Sequence, residues 1–139
     1  MFSTSQESNN VSMINSEKKK GLVMIWFYAT WCGHCNSMEP AWEELEEKHP
    51  EGVTLSKIEA DEYEQYEPSN NEERPEGYPT LRLYYKGNFI KEYQGDRSFD
   101  SMYAFIEDYI NQNPKVKMNN LTIIQSKKGN NINNNLVKK

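Results

Sequence analysis

The sequence predicts an α/β fold, in which a central mixed sheet of about four strands is flanked by helices. Three patterns predict it: an unbroken apolar run over residues 22–29, a helical period soon after it, and a strand–turn–strand pattern followed by a last amphipathic helix. With 139 residues, the chain has the size of one domain. We expect this domain over residues 21–112, between a polar N-terminal segment, 1–20, and a basic Asn/Lys-rich tail, 113–139.

A short connection separates the first strand from the first long helix. Residues 22–29 are apolar and rich in β-formers, which is typical of a strand buried on both faces. From Gly33 to about His49, apolar residues recur at helical spacing, with glutamates on the other side. Pro40 lies inside this helix and should kink it, because its ring removes one backbone hydrogen bond. The apolar stripe consists of Met38, Ala41, Trp42 and Leu45.

The second half of the domain reads as alternating short elements. Its last helix carries a continuous apolar stripe, and Ser98 or Asp100 is the expected cap at its start. Pro114 follows the end of this helix. The predicted elements are a strand over 53–58, a short helix and a polar loop over 59–78, two antiparallel strands over 81–85 and 89–93, and a helix from about 98 to 111.

Both ends of the chain are polar. Residues 1–20 predict mostly irregular structure, with at most one short strand or helical turn. The tail after Pro114 is rich in asparagine and lysine, a composition typical of disorder. Its apolar stretch Leu121–Ile124 could add to the sheet as an edge strand.

Charge and hydropathy exclude some functions. Residues 21–112 carry 7 Lys and Arg against 19 Asp and Glu, so the domain would repel nucleic acid. The six lysines of the tail are more typical of a solubilising segment than of a binding site. No apolar run approaches the roughly 20 residues that cross a membrane. We therefore expect neither a nucleic-acid nor a membrane partner.

The two cysteines carry the chemistry. They lie in Trp31-Cys32-Gly33-His34-Cys35, where the buried strand meets the helix, so both sulfurs can alternate between dithiol and disulfide with little backbone movement. Cys32 faces the free N–H groups and the positive end of the helix dipole, which favour the nucleophilic thiolate. His34 can stabilise this thiolate further. Cys35, one turn deeper, suits a resolving role.

Other uses of the cysteines fit less well. A zinc site needs about four ligands, and the chain has two cysteines and two histidines in all, so we predict no metal. Covalent haem would need a histidine directly after Cys35, where Asn36 stands. Two structural core thiols would not require a strand-to-helix junction. No cofactor is expected, because the two sulfurs themselves carry the electrons.

Trp-Cys-Gly-His-Cys after Phe27-Tyr28-Ala29 resembles the active site of protein disulfide isomerase domains, which have the thioredoxin fold. The resemblance covers about residues 21–112. Pro40 matches the proline that kinks the family's active-site helix, and Gly77-Tyr78-Pro79-Thr80 resembles its cis-proline loop. The resemblance implies a cis peptide before Pro79, which would place Tyr78 beside Cys32 for pairing with an extended substrate.

The resemblance also assigns supporting residues. Gly95 and Arg97 are similar to a glycine and a mobile arginine of the family, the arginine favouring the thiolate of the second cysteine. Lys57 matches the lysine of a buried charge pair behind the active site. Trp31, Tyr78, Pro79 and Gly95 would together form a shallow apolar platform around Cys32.

One position departs from the family's pattern. The buried acid that takes a proton from the second cysteine is replaced by Trp26, whose indole N–H can only donate. Lys57 then lacks its usual partner, a place for which we consider Glu59. Slower resolution of mixed disulfides is the expected result. The start of the chain is also short for the family's first strand and helix, which predicts an abbreviated N-terminal part of the sheet.

The sequence therefore predicts a thiol–disulfide oxidoreductase that oxidises, reduces or isomerises disulfides in client proteins, and acts as a monomer. A non-catalytic interaction module built on the same fold is the alternative, favoured by Trp26. The absence of a signal peptide and of an ER-retention tail predicts a cytoplasmic location. The Asn/Lys/Ile-rich ends favour an AT-rich genome, such as that of a protist or a large DNA virus, in which case the virion is a second location.

Overall fold

The computed structural model describes the backbone of residues 2–116 and the side chains of residues 10–116. Three long helices, one short 3₁₀ helix and four strands make up the described chain. In chain order they are α1 (Phe2–Lys18), β1 (Leu22–Tyr28), α2 (Gly33–Lys48), β2 (Val53–Glu59), the 3₁₀ helix (Ala60–Gln65), β3 (Thr80–Tyr85), β4 (Asn88–Glu92) and α3 (Phe99–Gln112).

The four strands form one mixed sheet in the order β2-β1-β3-β4. β1 runs parallel to β2 and antiparallel to β3, and β3 pairs antiparallel with β4. Helices pack on both faces of this sheet, so the predicted fold class is confirmed. The β3–β4 turn has positive φ at both Lys86 and Gly87, the conformation that tight hairpins favour.

β1 supplies both halves of the core, as its unbroken apolar run predicts. Alternate side chains of a strand point to opposite faces. Leu22, Met24 and Trp26 pack with buried residues of α2 and α3. Their neighbours in the strand pack on the other face, in a cluster that also contains residues of α1: Val11, Ile14, Val23, Ile25, Phe27, Ile58, Tyr63, Tyr66 and Tyr84.

The expectation of a mostly irregular N-terminal segment is wrong, because residues 2–18 form α1. The sequence of α1 has no continuous apolar stripe, and the helix is stabilised by contacts with the rest of the domain. Val11 and Ile14 are buried. The Asn15 amide donates to the carbonyl of Gln65 at 3.0 Å and accepts from the N–H of Glu67 at 2.9 Å. The expected shortening of the first helix is also wrong, because α1 has 17 residues, while the sheet of the described residues has the four strands that the sequence predicts.

The helices α2 and α3, which pack on the same face of the sheet, bury the apolar positions that the sequence predicts. In α2, Cys35, Met38, Trp42 and Leu45 are buried, and Pro40 lies inside the helix. In α3, Met102, Ile106 and Ile110 are buried, and the Ser98 hydroxyl caps the first turn by accepting from the N–H of Ser101. Beyond α3, Val116 is buried in the same cluster. The candidate strand Leu121–Ile124 lies outside the described residues.

A buried charged cluster holds the loop after the 3₁₀ helix against the α1 face, and we call it the Glu72 network: Lys18, Tyr66, Glu72, Arg82 and Tyr84. The Glu72 side chain is fully buried and lies 3.2 Å from the Arg82 guanidinium and 3.8 Å from the Lys18 ammonium. It also accepts hydrogen bonds from the hydroxyls of Tyr84 at 2.5 Å and Tyr66 at 3.0 Å.

Within this network, each oxygen of the Glu72 carboxylate accepts hydrogen bonds. Burial raises the pKa of Tyr84 and of Tyr66 far above the usual range, so both hydroxyls stay protonated and continue to donate. Burial also lowers the pKa of Lys18, against the opposing pull of Glu72. No helix of the described residues is long and apolar enough to cross a membrane.

Candidate active site

Cys32 and Cys35 lie at the junction of β1 and α2 and form a disulfide with their Cα atoms 5.2 Å apart. Cys32 is the N-cap of α2, with extended backbone, and its sulfur accepts the N–H of Cys35 at 3.1 Å. A sulfur that accepts a helix N-terminal N–H is stabilised as a thiolate. The local geometry therefore favours Cys32 as the nucleophile.

The disulfide lies beside an exposed aromatic side chain. Cys32 and Cys35 are buried, whereas Trp31 is 73% exposed. The indole of Trp31 stands edge-on to the ring of Tyr78, with centroids 5.9 Å apart. Contiguous exposed apolar surface, unlike a single exposed side chain, is typical of an interaction site. The structure thus brings Trp31 and Tyr78 together at the position where the sequence predicts a substrate platform.

The loop that carries Tyr78 and Pro79 is placed by the sheet. Thr80, the first residue of β3, pairs with Phe27 near the C-terminal end of β1. The loop before Thr80 therefore lies at the same end of these two strands as Cys32, which follows β1. The Tyr78–Pro79 peptide bond is cis. Beside it, a cavity of about 460 Å³ is lined by a mainly polar set: Glu73, Arg74, Glu76, Gly77, Tyr78, Pro79, Thr80, Arg82 and Glu92.

For four of the predicted supporting residues, the described part of the chain shows no hydrogen bond or ion pair to a cysteine sulfur. Gly33 and His34 are exposed on the first turn of α2, and His34 makes no hydrogen bond within residues 10–116. Arg97 is exposed in the loop between β4 and α3. Gly95 lies against Tyr93, where a Cβ atom would come within 2.5 Å of the hydroxyl oxygen. Their effects on the cysteines remain predictions.

Glu59 is not the partner of Lys57, so that expectation is wrong. The Lys57 ammonium lies 3.7 Å from Glu39 of α2, and both side chains are about 40% exposed, at 38% and 46%. Glu59 instead caps the 3₁₀ helix through the N–H of Asp61 and lies 3.4 Å from the N–H of Thr30. Lys57 and Glu59 lie two residues apart on β2, so both side chains leave the same face of the strand. The Lys57 side chain nevertheless extends over the rings of Trp26 and Tyr28, toward α2.

Behind the disulfide, a cavity of about 270 Å³ joins these groups to Cys35. It is lined by Trp26, Tyr28, Thr30, Cys35, Asn36, Glu39 and Lys57. The indole N–H of Trp26 is buried and has no hydrogen-bond partner among the described residues. Sequence reasoning missed Glu39, although it stands four residues after Cys35, the spacing that puts two side chains on one helix face.

Among residues 10–116, no group of three or more His, Cys, Asp and Glu side chains is arranged to hold a metal ion. The paired sulfurs are the redox-capable group that the structure presents.

Comparison with known proteins identifies the family. The thioredoxin family model matches residues 2–108. The chain belongs to the thioredoxin family. Among curated relatives, it is 36% identical over 98 residues to the thioredoxin domain-containing protein 5 homolog of Drosophila melanogaster, an alignment that covers 66% of this chain and 22% of that protein. It is 31% identical over 96 residues to the protein disulfide-isomerase of Triticum aestivum, covering 66% of this chain and 18% of the relative.

A solved thioredoxin supports the same assignment. The oxidised thioredoxin of Plasmodium falciparum superposes with a TM-score of 0.56 at 25% identity, covering 70% of this chain and 90% of that one. The chain spans about a fifth of the length of the two curated relatives. It is a thioredoxin-superfamily domain of the protein disulfide isomerase type, and its family and its cysteine pair support thiol–disulfide oxidoreductase activity in general.

Proposed function

We propose that the chain catalyses thiol–disulfide exchange with cysteine-containing client proteins through Cys32 and Cys35. The observation that carries the proposal is the Cys32–Cys35 disulfide at the start of α2, with the Cys32 sulfur accepting the N–H of Cys35 and with exposed Trp31 alongside. A reactive pair beside an apolar platform suits an extended protein segment better than a small molecule.

In the reducing direction, the Cys32 thiolate attacks one sulfur of a client disulfide. A mixed disulfide forms and the other client sulfur leaves as a thiolate. The Cys35 thiolate then attacks the Cys32 sulfur, which forms the Cys32–Cys35 bond and releases the second client thiolate. The client gains two electrons and the cysteine pair loses two. Oxidation of a client dithiol is the same sequence in reverse.

Several residues support these steps in the proposal. Trp31 and Tyr78 hold the client chain beside Cys32, and the loop at Pro79 offers backbone for pairing. His34 favours the Cys32 thiolate, and Arg97, exposed in the loop before α3, favours the Cys35 thiolate. Stabilising the thiolate also stabilises the reduced protein, so its disulfide becomes a stronger oxidant.

The first test is a trapping experiment with matched variants. In Cys35→Ser, a mixed disulfide with an unfolded cysteine-containing client should accumulate, because nothing resolves it. In Cys32→Ser, no such adduct should form. Equal trapping by both variants, or by neither, would contradict the assignment of Cys32 as the nucleophile.

The reduction potential of the cysteine pair decides the direction. Equilibration in glutathione buffers with alkylation of free thiols measures it. A value near roughly −180 mV would make the chain an oxidase or isomerase, and one near roughly −270 mV a reductase. Gly-His between the cysteines leads us to expect the first.

A non-catalytic client-binding module is the second candidate, because Trp26 stands where the family has a proton-accepting acid. Such a module would bind clients equally well with or without Cys32. A client affinity that is unchanged in Cys32→Ser, together with no exchange by the wild-type chain, would favour this reading.

A further inference from the structure

Resolution of the mixed disulfide requires Cys35 to lose its proton, and Cys35 is buried. A thiol is not a nucleophile until it becomes a thiolate. The proton therefore needs an acceptor on the inner side of the cysteine pair, where Trp26 can only donate.

The cavity behind the disulfide contains one carboxylate. Of the residues that line it, Glu39 alone has an acidic side chain, and its lining also includes Cys35 itself. Glu39 follows Cys35 by four residues on α2, so the two side chains share one face of the helix. A cavity of about 270 Å³ has room for several water molecules between the thiol and the carboxylate.

The other polar groups of the cavity hold Glu39 in place. Lys57 lies 3.7 Å from its carboxylate and is itself fixed over the rings of Trp26 and Tyr28. The indole of Trp26 lines the same cavity, and its buried N–H has no hydrogen-bond partner among the described residues, so it supplies no acceptor there.

We propose that Glu39 is the proton acceptor for Cys35, acting through water in this cavity. The inference rests on the proposed exchange function. The Cys35 thiol proton passes to the Glu39 carboxylate, the Cys35 sulfur bonds to the Cys32 sulfur, and the bond from Cys32 to the client sulfur breaks. The client thiolate leaves with the electron pair of that bond. Lys57 is a positioning residue for Glu39.

The test follows both steps in one reaction. Reduced full-length chain is mixed with an equimolar amount of 5,5′-dithiobis(2-nitrobenzoic acid). Attack by Cys32 releases the first coloured thiolate, and attack by Cys35 releases the second. Both phases are recorded between about pH 6 and pH 10, a range that includes the ordinary ionisation of a thiol.

In Glu39→Gln, the second phase should slow by about 10- to 100-fold at pH 7, because a positioned base is lost. The first phase should be unchanged. The difference between the two proteins should shrink as the pH rises toward about 10, since the need for a positioned base falls as the thiol ionises. Glu39→Asp should recover part of the rate.

The sign of the effect separates proton transfer from simple electrostatics. A carboxylate that acted only through its charge would disfavour the Cys35 thiolate, so its removal would speed the second phase. Glu44→Gln is the matched control, because Glu44 lies on the same helix and pairs with Lys48 at 3.3 Å with similar exposure. It should match the wild type in both phases.

Three results would overturn the inference: a second phase of Glu39→Gln at the wild-type rate, a faster one, or one slowed equally at every pH. In each case a normal first phase would leave the proposed function standing. A wild-type chain that shows no first phase would overturn both.

Discussion

On the α1 face of the sheet, Glu72 is fully buried and surrounded by two cations and two tyrosine hydroxyls. On the α2 face, Glu39 is half exposed, pairs with one cation at 3.7 Å and borders a cavity beside the reactive cysteines. Each acid pairs with a lysine from another element, Glu72 with Lys18 of α1 and Glu39 with Lys57 of β2. One site is closed and saturated, and the other is open to water.

The difference indicates what each face does. A saturated buried network is costly to disturb, because removing one member leaves charges without partners in a low-dielectric interior. A half-exposed pair contributes little to stability but can exchange protons with solvent. The α1 face therefore holds the loop and helix in place, while the α2 face keeps its groups available for chemistry.

The largest expected effect is on the stability of the α1 face. Glu72→Gln leaves Lys18 without the carboxylate at 3.8 Å and removes one of the two carboxylates that pair with Arg82, the other being Glu92. We expect the free energy of unfolding to fall by about 3–5 kcal/mol. Chemical denaturation measures it. Glu73→Gln, the exposed neighbour, is the control and should change it by less than about 0.5 kcal/mol. Equal effects of the two variants would show that the network is not structural.

Alkaline pH should lower the free energy of unfolding through the tyrosines of the Glu72 network. The folded-state pKa values of Tyr66 and Tyr84 lie above 10, whereas these groups ionise near pH 10 once unfolded. Above pH 10 the folded state therefore binds more protons, and stability falls by about 1.4 kcal/mol per pH unit for each tyrosine. The folded-state pKa of Lys18 is lowered, so its contribution to the free energy of unfolding rises with pH until about pH 10.5. Lys18 therefore opposes the loss of stability from the tyrosines only below that pH.

Tyr84→Phe tests this pH dependence. The variant loses a hydrogen bond to Glu72, so its absolute stability drops at every pH, but its slope above pH 10 should become less negative by one proton. Denaturation at several pH values gives this slope. An unchanged slope would show that Tyr84 is not among the groups that hold their protons in the folded state.

On the α2 face, the next effect is on client capture. Trp31→Ala should weaken binding of an extended client peptide by about 1–2 kcal/mol, because buried tryptophans dominate protein interfaces. Peptide titration of a Cys35→Ser background, monitored by mixed-disulfide formation, measures it. Met13→Ala is the control, since Met13 is also exposed, at 64%, but lies on α1. A comparable loss in both variants would argue against a platform at Trp31.

The smallest expected effect is on the stability of the Glu39–Lys57 pair. A double-mutant cycle with Glu39→Gln and Lys57→Gln should give a coupling free energy of about 0.2–1 kcal/mol. A coupling of several kcal/mol would mean that this pair is as structural as the Glu72 network. In that event both faces would carry a structural ion pair, and the contrast between a closed site and an open one would not hold.

Local sequence patterns predicted most elements of the fold. The apolar run of β1, the stripe of α2 and the cap at Ser98 each depend on neighbours in sequence, and each agrees with the structure. α1 was missed because its few apolar residues form no stripe. Its helix depends on contacts of Val11, Ile14 and Asn15 with distant residues.

The sequence by itself determined the chemistry: two cysteines separated by two residues at a strand-to-helix junction predict a redox pair, and the structure joins them in a disulfide. Only the tertiary structure decided which charges surround it. Glu59, two residues from Lys57, was the plausible partner in sequence, yet the lysine reaches Glu39 on another element. Pairing between elements depends on side-chain direction and packing across the sheet, and spacing along one chain segment carries no record of either.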